Sequence, residues 1–189
     1  VRKNELRTSL RKRRLAIGQA QARHCERRAA THLLRWRRLS RARHIAVYLS
    51  VRSELATAAL IARLLRRGKT LWVPFTGVSP RLRFVPLRRG TKLRRGPFGL
   101  RQPARGRPCR QVRRMDVVLL PLLGFDTSGN RIGSGGGYYD RTLAAPRPGW
   151  RPSLIGYAYA AQELPAIPAE PWDLRLDAVV TEKGLHRFF

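Results

Sequence analysis

The stretch Pro121-Leu-Leu-Gly-Phe-Asp126-Thr-Ser-Gly-Asn-Arg131-Ile-Gly133-Ser-Gly135-Gly136-Gly137-Tyr138-Tyr139-Asp140-Arg141 decides how this chain is read. Residues 117–121 (VVLLP) lead into it and have the short, continuous apolar character of a strand buried on both faces. A glycine-rich loop over 129–137 follows, and a short helix is predicted to begin near Tyr138. Glycines carry no Cβ, so loop N–H groups can approach an anion closely, and a helix N-terminus adds partial positive charge. Arg131 offers a planar fork that matches phosphate oxygens. Asp140, just inside the helix, suits a divalent cation or the helix N-terminus itself. No Gly-Lys-Ser/Thr follows the glycines, and Tyr138 stands where a dinucleotide fingerprint would place its last glycine. The loop is therefore neither of the two common phosphate-binding motifs; a bare glycine run reads as a tight turn, but joined to Arg131, the two tyrosines and Asp140 it reads as a phosphate-binding loop.

Outward from this block, residues 3–38 show two helical stripes. Leu6, Leu10 and Ile17 form one; after Gly18, Ala22, Cys25, Ala29, Leu33 and Trp36 form the other. Cys25 then reads as a small buried apolar residue. Residues 44–51, 70–74, 82–87, 153–159 and 178–181 read as strands. A helix over 55–67 is expected to start near Ser53 and stop at Gly68. Residues 88–114, rich in Gly, Pro and Arg, read as a long surface excursion with a short extended piece at Phe98-Gly99-Leu100. Apolar strands alternating with helices predict an α/β fold, three layers α/β/α around a mostly parallel sheet, in a single domain spanning 1–189.

The chain has 189 residues, 40 Lys+Arg against 11 Asp+Glu, a net charge of +29 and 43% hydrophobic residues. That apolar fraction argues against disorder even at this charge. Two cysteines exclude a disulfide framework and a thiolate metal cage, and the four histidines lack metal-ligand spacing. The apolar run 117–125 is broken by Pro121 and falls short of the roughly 20 residues needed to span a bilayer. With no basic-then-apolar leader, a cytoplasmic protein without membrane attachment is expected. Residues 1–115 hold 33 basic and 3 acidic side chains, whereas 116–189 hold 7 and 8. Such a field attracts polyanions, although arginines spread over solvated faces are the plainer explanation.

The 121–141 block resembles the 5-formyltetrahydrofolate cyclo-ligases, also called methenyltetrahydrofolate synthetases. KNELR at 3–7, YLSVRSELAT at 48–57, FGLRQP at 98–103 and PWDLRLDAVVTEKG at 171–184 follow that family's order. The resemblance implies a cyclo-ligase fold of the NagB/RpiA-like type, a monomer, and two small-molecule substrates, ATP and a reduced folate. It implies ATP- and Mg2+-dependent conversion of 5-formyltetrahydrofolate to 5,10-methenyltetrahydrofolate. The formyl oxygen would attack the γ-phosphate, N10 would close the ring, and ADP and phosphate would leave. Phosphoryl transfer needs alignment and charge neutralisation more than a covalent residue, which fits the lack of a Ser/His/Asp or Cys/His constellation.

Carried over position by position, Lys3 and Arg7 match cations on the ATP phosphates, four residues apart on one helix face. Arg131, Ile132, Gly133, Ser134, Gly135, Gly136, Gly137, Tyr138 and Tyr139 match the nucleotide loop, with Arg131 as γ-phosphate clamp and Arg131 and Tyr138 as the catalytic pair. Asp140 and Asp173 match the magnesium carboxylates. Leu49 and Glu54 match folate-contacting positions, joined by Ser134, Gly135, Gly136, Gly137 and Tyr138. Glu54 is the only acid between Glu26 and Asp116, so either a ligand or a nearby arginine claims it. Adjacent Tyr138 and Tyr139 cannot share a helix face, which leaves one for ligand and one for packing. The chain departs from the family pattern at Ser134, Gln102, Ala56 and Trp172. Two other readings remain: a basic nucleic-acid-binding protein on this fold, and a relative that activates a different substrate with ATP.

Overall fold

A computed structural model describes residues 3–77, 79–97, 100–104, 112–143 and 151–188. Helices α1 (Lys3–Leu15) and α2 (Gln19–Arg35) divide at Gly18, where the two apolar stripes part, and α3 (Arg37–Arg41) follows. Then come β1 (His44–Ala46), α4 (Ala58–Arg66), β2 (Thr70–Phe75), β3 (Arg83–Leu87), β4 (Leu93–Arg95) and β5 (Arg101–Pro103). The rest comprises β6 (Val117–Leu120), β7 (Gly124–Asp126), β8 (Arg131–Ile132), α5 (Tyr138–Leu143), β9 (Ser153–Tyr157), β10 (Glu163–Leu164), β11 (Ala178–Thr181) and β12 (Gly184–Arg187).

The main sheet runs β12-β11-β9-β6-β1-β2-β3. Its five inner strands are mutually parallel, and β12 and β3 close the edges antiparallel. Both faces are covered, which explains the unbroken apolar run in β6. Val117 and Leu119 join a core with α2 and α4, while Val118 and Leu120 join a second core with Phe84, Met115 and Phe125. Cys25 is buried in the first core as expected, and burial pushes its thiol pKa up.

Several boundaries differ from the sequence reading. Strand β1 stops at Ala46 because Thr57 captures the chain just beyond it: its hydroxyl donates to Tyr48 O (2.9 Å), and Ser50 and Thr57 exchange side chain–backbone bonds. Helix α4 accordingly starts after Thr57, not Ser53, and ends at Gly68 with a left-handed φ of 71°. Strand β9 stops at Tyr157, since the Tyr159 N–H turns to Gln162 Oε1 at 2.9 Å. The 88–114 excursion contains an antiparallel hairpin, β4 on β5; the extended piece expected at Phe98-Gly99 lies outside the described residues.

A second sheet, β10-β7-β8, stands beside the main one and carries α1 on Leu10, Leu123, Ile132, Leu164 and Ile167. The fit is close: a Cβ on Gly124 would fall 2.7 Å from Leu10 Cδ1. This docking brings the cationic helix α1 to the loop that follows β8.

Candidate active site

The loop expected over 129–137 begins later than its glycines suggest. The Asp126 carboxylate collects N–H groups from Ser128, Asn130 and Ile167, each at 2.9 Å, and so folds 126–130 into the turn of the β7–β8 hairpin. Gly129 belongs to that turn, at φ 81°. Strand β8 then points Ile132 into the α1 core and leaves Arg131 for the site. The glycine loop proper is 133–137, with Gly135 (φ 110°) and Gly137 (φ 61°) in backbone conformations that disfavour a side chain.

Arg131 is buried, and its Nη2 lies 2.6 Å from Asp140 Oδ1. Its Nε is also buried and has no acceptor among the described residues. A Cβ on Gly133 would come within 3.1 Å of Arg131 Nη1, so the loop and the guanidinium share one space. Tyr138 and Tyr139 are both half-buried against the second core. Arg141 caps the Tyr138 ring at 5.2 Å and donates to Gly136 O and Pro80 O. Burial pushes the Tyr139 phenol pKa well up; Glu54 adds to the shift and Arg131 opposes it. Tyr139 thus lies within the fields of both Glu54 and Arg131.

Helix α1 ties these parts together. Lys3 Nζ pairs with Asp173 Oδ2 at 2.6 Å, and the Glu170 N–H donates to the same oxygen at 2.8 Å. Arg7 Nε donates to Gly133 O (3.1 Å), Arg11 Nη2 to Ser134 O (3.2 Å), and Arg14 Nε to Ser53 Oγ (3.0 Å). Lys3 and Arg7 stand on one face of α1, as their spacing predicts. Arg11 and Arg14 were missed, although the 3, 7, 11, 14 spacing already sets four cations along one helical stripe. Arg141 was also missed, and no periodic signal marks it.

At the C-terminal end of β1, the Val51 N–H donates to Glu54 Oε2 at 2.9 Å. Burial raises the Glu54 pKa against the opposing effects of that bond and of Arg14. Leu49 packs on the first core beside it. Gln102 is a structural acceptor, taking the N–H and hydroxyl of Thr76 at 3.2 Å each, whereas Trp172 is largely exposed beside Asp173. For Asp173, burial raises the pKa. The Lys3 hydrogen bond, the Glu170 N–H and the charges of Lys3 and Arg131 outweigh that and hold it below the usual carboxylate value.

The Leu174 N–H approaches Asp140 Oδ1 at 3.5 Å, so the turn that carries Asp173 meets α5, which carries Asp140. No group of three or more His, Cys, Asp or Glu suited to a metal occurs among the described residues. Two hard carboxylates suit a magnesium ion whose remaining ligands are phosphates and water, the ion's common arrangement at nucleotide sites.

The fold thus gathers, beside a largely parallel sheet, a glycine loop, a buried arginine whose Nε lacks an acceptor among the described residues, and a stripe of helix cations. The chain belongs to the 5-formyltetrahydrofolate cyclo-ligase family, whose model matches residues 1–182. It is 34% identical over 175 residues to the 5-formyltetrahydrofolate cyclo-ligase of Escherichia coli K12, covering 91% of this chain and 96% of that one. It is also 34% identical over 189 residues to the Mycolicibacterium smegmatis enzyme of that name, covering 96% and 94%. The solved 5,10-methenyltetrahydrofolate synthetase of Aquifex aeolicus superposes with a TM-score of 0.85 at 26% identity, covering 98% of this chain and 92% of that one.

Proposed function

We propose that this chain converts 5-formyltetrahydrofolate to 5,10-methenyltetrahydrofolate, with ATP as co-substrate. The observation that carries the reading is the twin ion pair beside the glycine loop, Lys3–Asp173 and Arg131–Asp140, each at 2.6 Å, with a buried Arg131 Nε still lacking an acceptor. The names of the relatives supply the substrate, and the charges supply the chemistry.

The formyl oxygen attacks the γ-phosphorus and ADP departs. N10 then adds to the activated carbon and loses its proton, and the C–O bond breaks to release phosphate. Arg131 holds the γ-phosphoryl group in line, where a positioned guanidinium stabilises spreading negative charge. Lys3 and Arg7 meet the remaining phosphate oxygens, and the N–H groups of 133–137 line the same anion. Leu49, Glu54 and Tyr138 orient the folate. Magnesium, when bound, supplies charge neutralisation on the phosphates, and Asp140 and Asp173 are the residues that would hold it.

The ion pairs fit this assignment. Each cation pairs with a carboxylate, and phosphates that draw Lys3 and Arg131 to themselves would free Asp173 and Asp140 to hold a magnesium ion. The test is conversion of 5-formyltetrahydrofolate, followed by the absorbance of the methenyl product with ATP or magnesium omitted in turn. A folded Asp140→Asn variant runs alongside. Turnover that needs both additions and is lost in the variant supports the reading; a folded parent that does not turn over the folate overturns it.

A further inference from the structure

The arginine excess is not spread evenly over the fold. Helices α2 and α4 pack side by side over the first core, on one face of the main sheet, and their seam is laid with cations. Arg63 Nη1 crosses from α4 to Thr31 Oγ1 on α2 (3.4 Å), and Arg67 Nη1, just past the end of α4, crosses to Leu34 O (3.0 Å). Arg27 and Arg35 lie one turn either side of Thr31 and share its helix face, while Arg66 is three positions from Arg63. Arg27, Arg35, Arg66 and Arg67 are exposed. Lys69 Nζ donates to Ser40 O and Ala42 O, which carries the row of cations on to α3, where Arg37 and Arg41 are exposed.

No carboxylate answers this row. The only acids between Glu5 and Asp116 are Glu26 and Glu54, and both line a depression at the α1–α2 junction instead. None of the five seam arginines forms an ion pair among the described residues. Like charges at helical spacing repel one another, so the seam costs the free protein stability and a polyanion lying along it relieves that cost. Arg63 and Arg67 each spend one nitrogen on an anchor, which fixes the rest of the fork in place.

We infer that the α2–α4 seam is a docking track for the phosphate backbone of a nucleic-acid duplex, bound without regard to sequence. Guanidinium forks match phosphate oxygens, and cations that neutralise phosphates release counterions and so supply non-specific affinity. Contacts of this kind position a duplex without reading its bases. A single strand would instead need rings on which unpaired bases stack. The one exposed Phe, Trp or Tyr among the described residues is Trp172, beside Asp173. The inference stands apart from the folate reading, whose phosphate cations lie on α1 and at the glycine loop.

Arg27→Gln, Arg35→Gln and Arg66→Gln together remove three exposed guanidinium groups, and a urea midpoint checks that this seam variant folds. A control variant, Lys12→Gln with Arg13→Gln and Arg81→Gln, removes the same exposed charge from α1 and the turn before β3. Fluorescence anisotropy follows a short mixed-sequence DNA duplex and its RNA counterpart across a salt series. The parent should bind both, and the seam variant should bind each at least tenfold more weakly. Its salt slope on DNA should be shallower by about 2–3, from roughly 0.9 per lost phosphate contact. The control variant should stay within threefold of the parent. A parent that binds neither duplex at physiological salt overturns the inference, as does a control variant that loses as much as the seam variant, since net charge alone would then account for binding. Phosphatidylserine vesicles or polyglutamate bound as tightly as the duplexes, with the same loss in the seam variant, would overturn it by assigning the seam to another polyanion.

Discussion

Replacing Arg131 with alanine separates the contribution of its ion pair to folding from that of its guanidinium to turnover. Breaking a fully buried pair by deleting one partner costs about 3–5 kcal/mol. The Arg131 side chain is only 4% exposed, but that of Asp140 is 27% exposed, so the orphaned carboxylate can recover much of its hydration. The native protein also carries the unpaired Nε, an uncompensated buried donor of the kind that costs ~1–3 kcal/mol and that the substitution removes. These effects oppose each other, and a net loss of about 1 kcal/mol of stability is expected. Losing a donor aimed at transition-state charge lowers kcat by roughly 10²–10³, or about 2.7–4 kcal/mol. The assay is ATP-dependent appearance of the methenyl product at saturating ATP, with urea unfolding of the same preparation. Arg131→Lys keeps the charge without the fork and should fall between parent and alanine variant. A drop in kcat below tenfold, or a stability loss as large as the barrier increase, would refute the assignment of Arg131 to the phosphoryl group.

Glu54→Gln should cost turnover and add stability at neutral pH. Burial raises the carboxyl pKa above its usual value, so the ionised form is disfavoured in the fold. That penalty is absent below the unfolded value of about 4.3, grows as pH rises through the folded value, and is constant above it. Thermal melts should therefore coincide for parent and variant near the acidic end and diverge in favour of the variant at neutral pH; a lower melting point at neutral pH would contradict this. Gln102→Ala removes the acceptor of the buried Thr76 N–H and hydroxyl. Leaving that N–H unpaired costs about 1–3 kcal/mol, read as a shift of the urea midpoint, and an unshifted midpoint would remove Gln102 from its structural role.

The parts of the fold that were legible in the sequence are those set by local periodicity. The VVLL run announces a strand buried on both faces, and the stripes either side of Gly18 announce α1 and α2. The short sheet β10-β7-β8 was not legible, because its strands of two and three residues are too brief to show a period. Nor was the early end of β1, which the Thr57 hydroxyl decides from well beyond the strand. The site divides in the same way. Its residue types were visible as cations, carboxylates and glycines, but their pairing was not. Lys3 meets Asp173 across 170 positions of chain, and Arg7 meets Gly133 across 126. Nothing in either segment encodes those distances. They are set by Leu10 seating against the bare backbone of Gly124, with Leu123, Ile132, Leu164 and Ile167 around it. An apolar contact that touches no ligand thus fixes where four cations stand, so the electrostatics of the site depend on the packing of one leucine on one glycine.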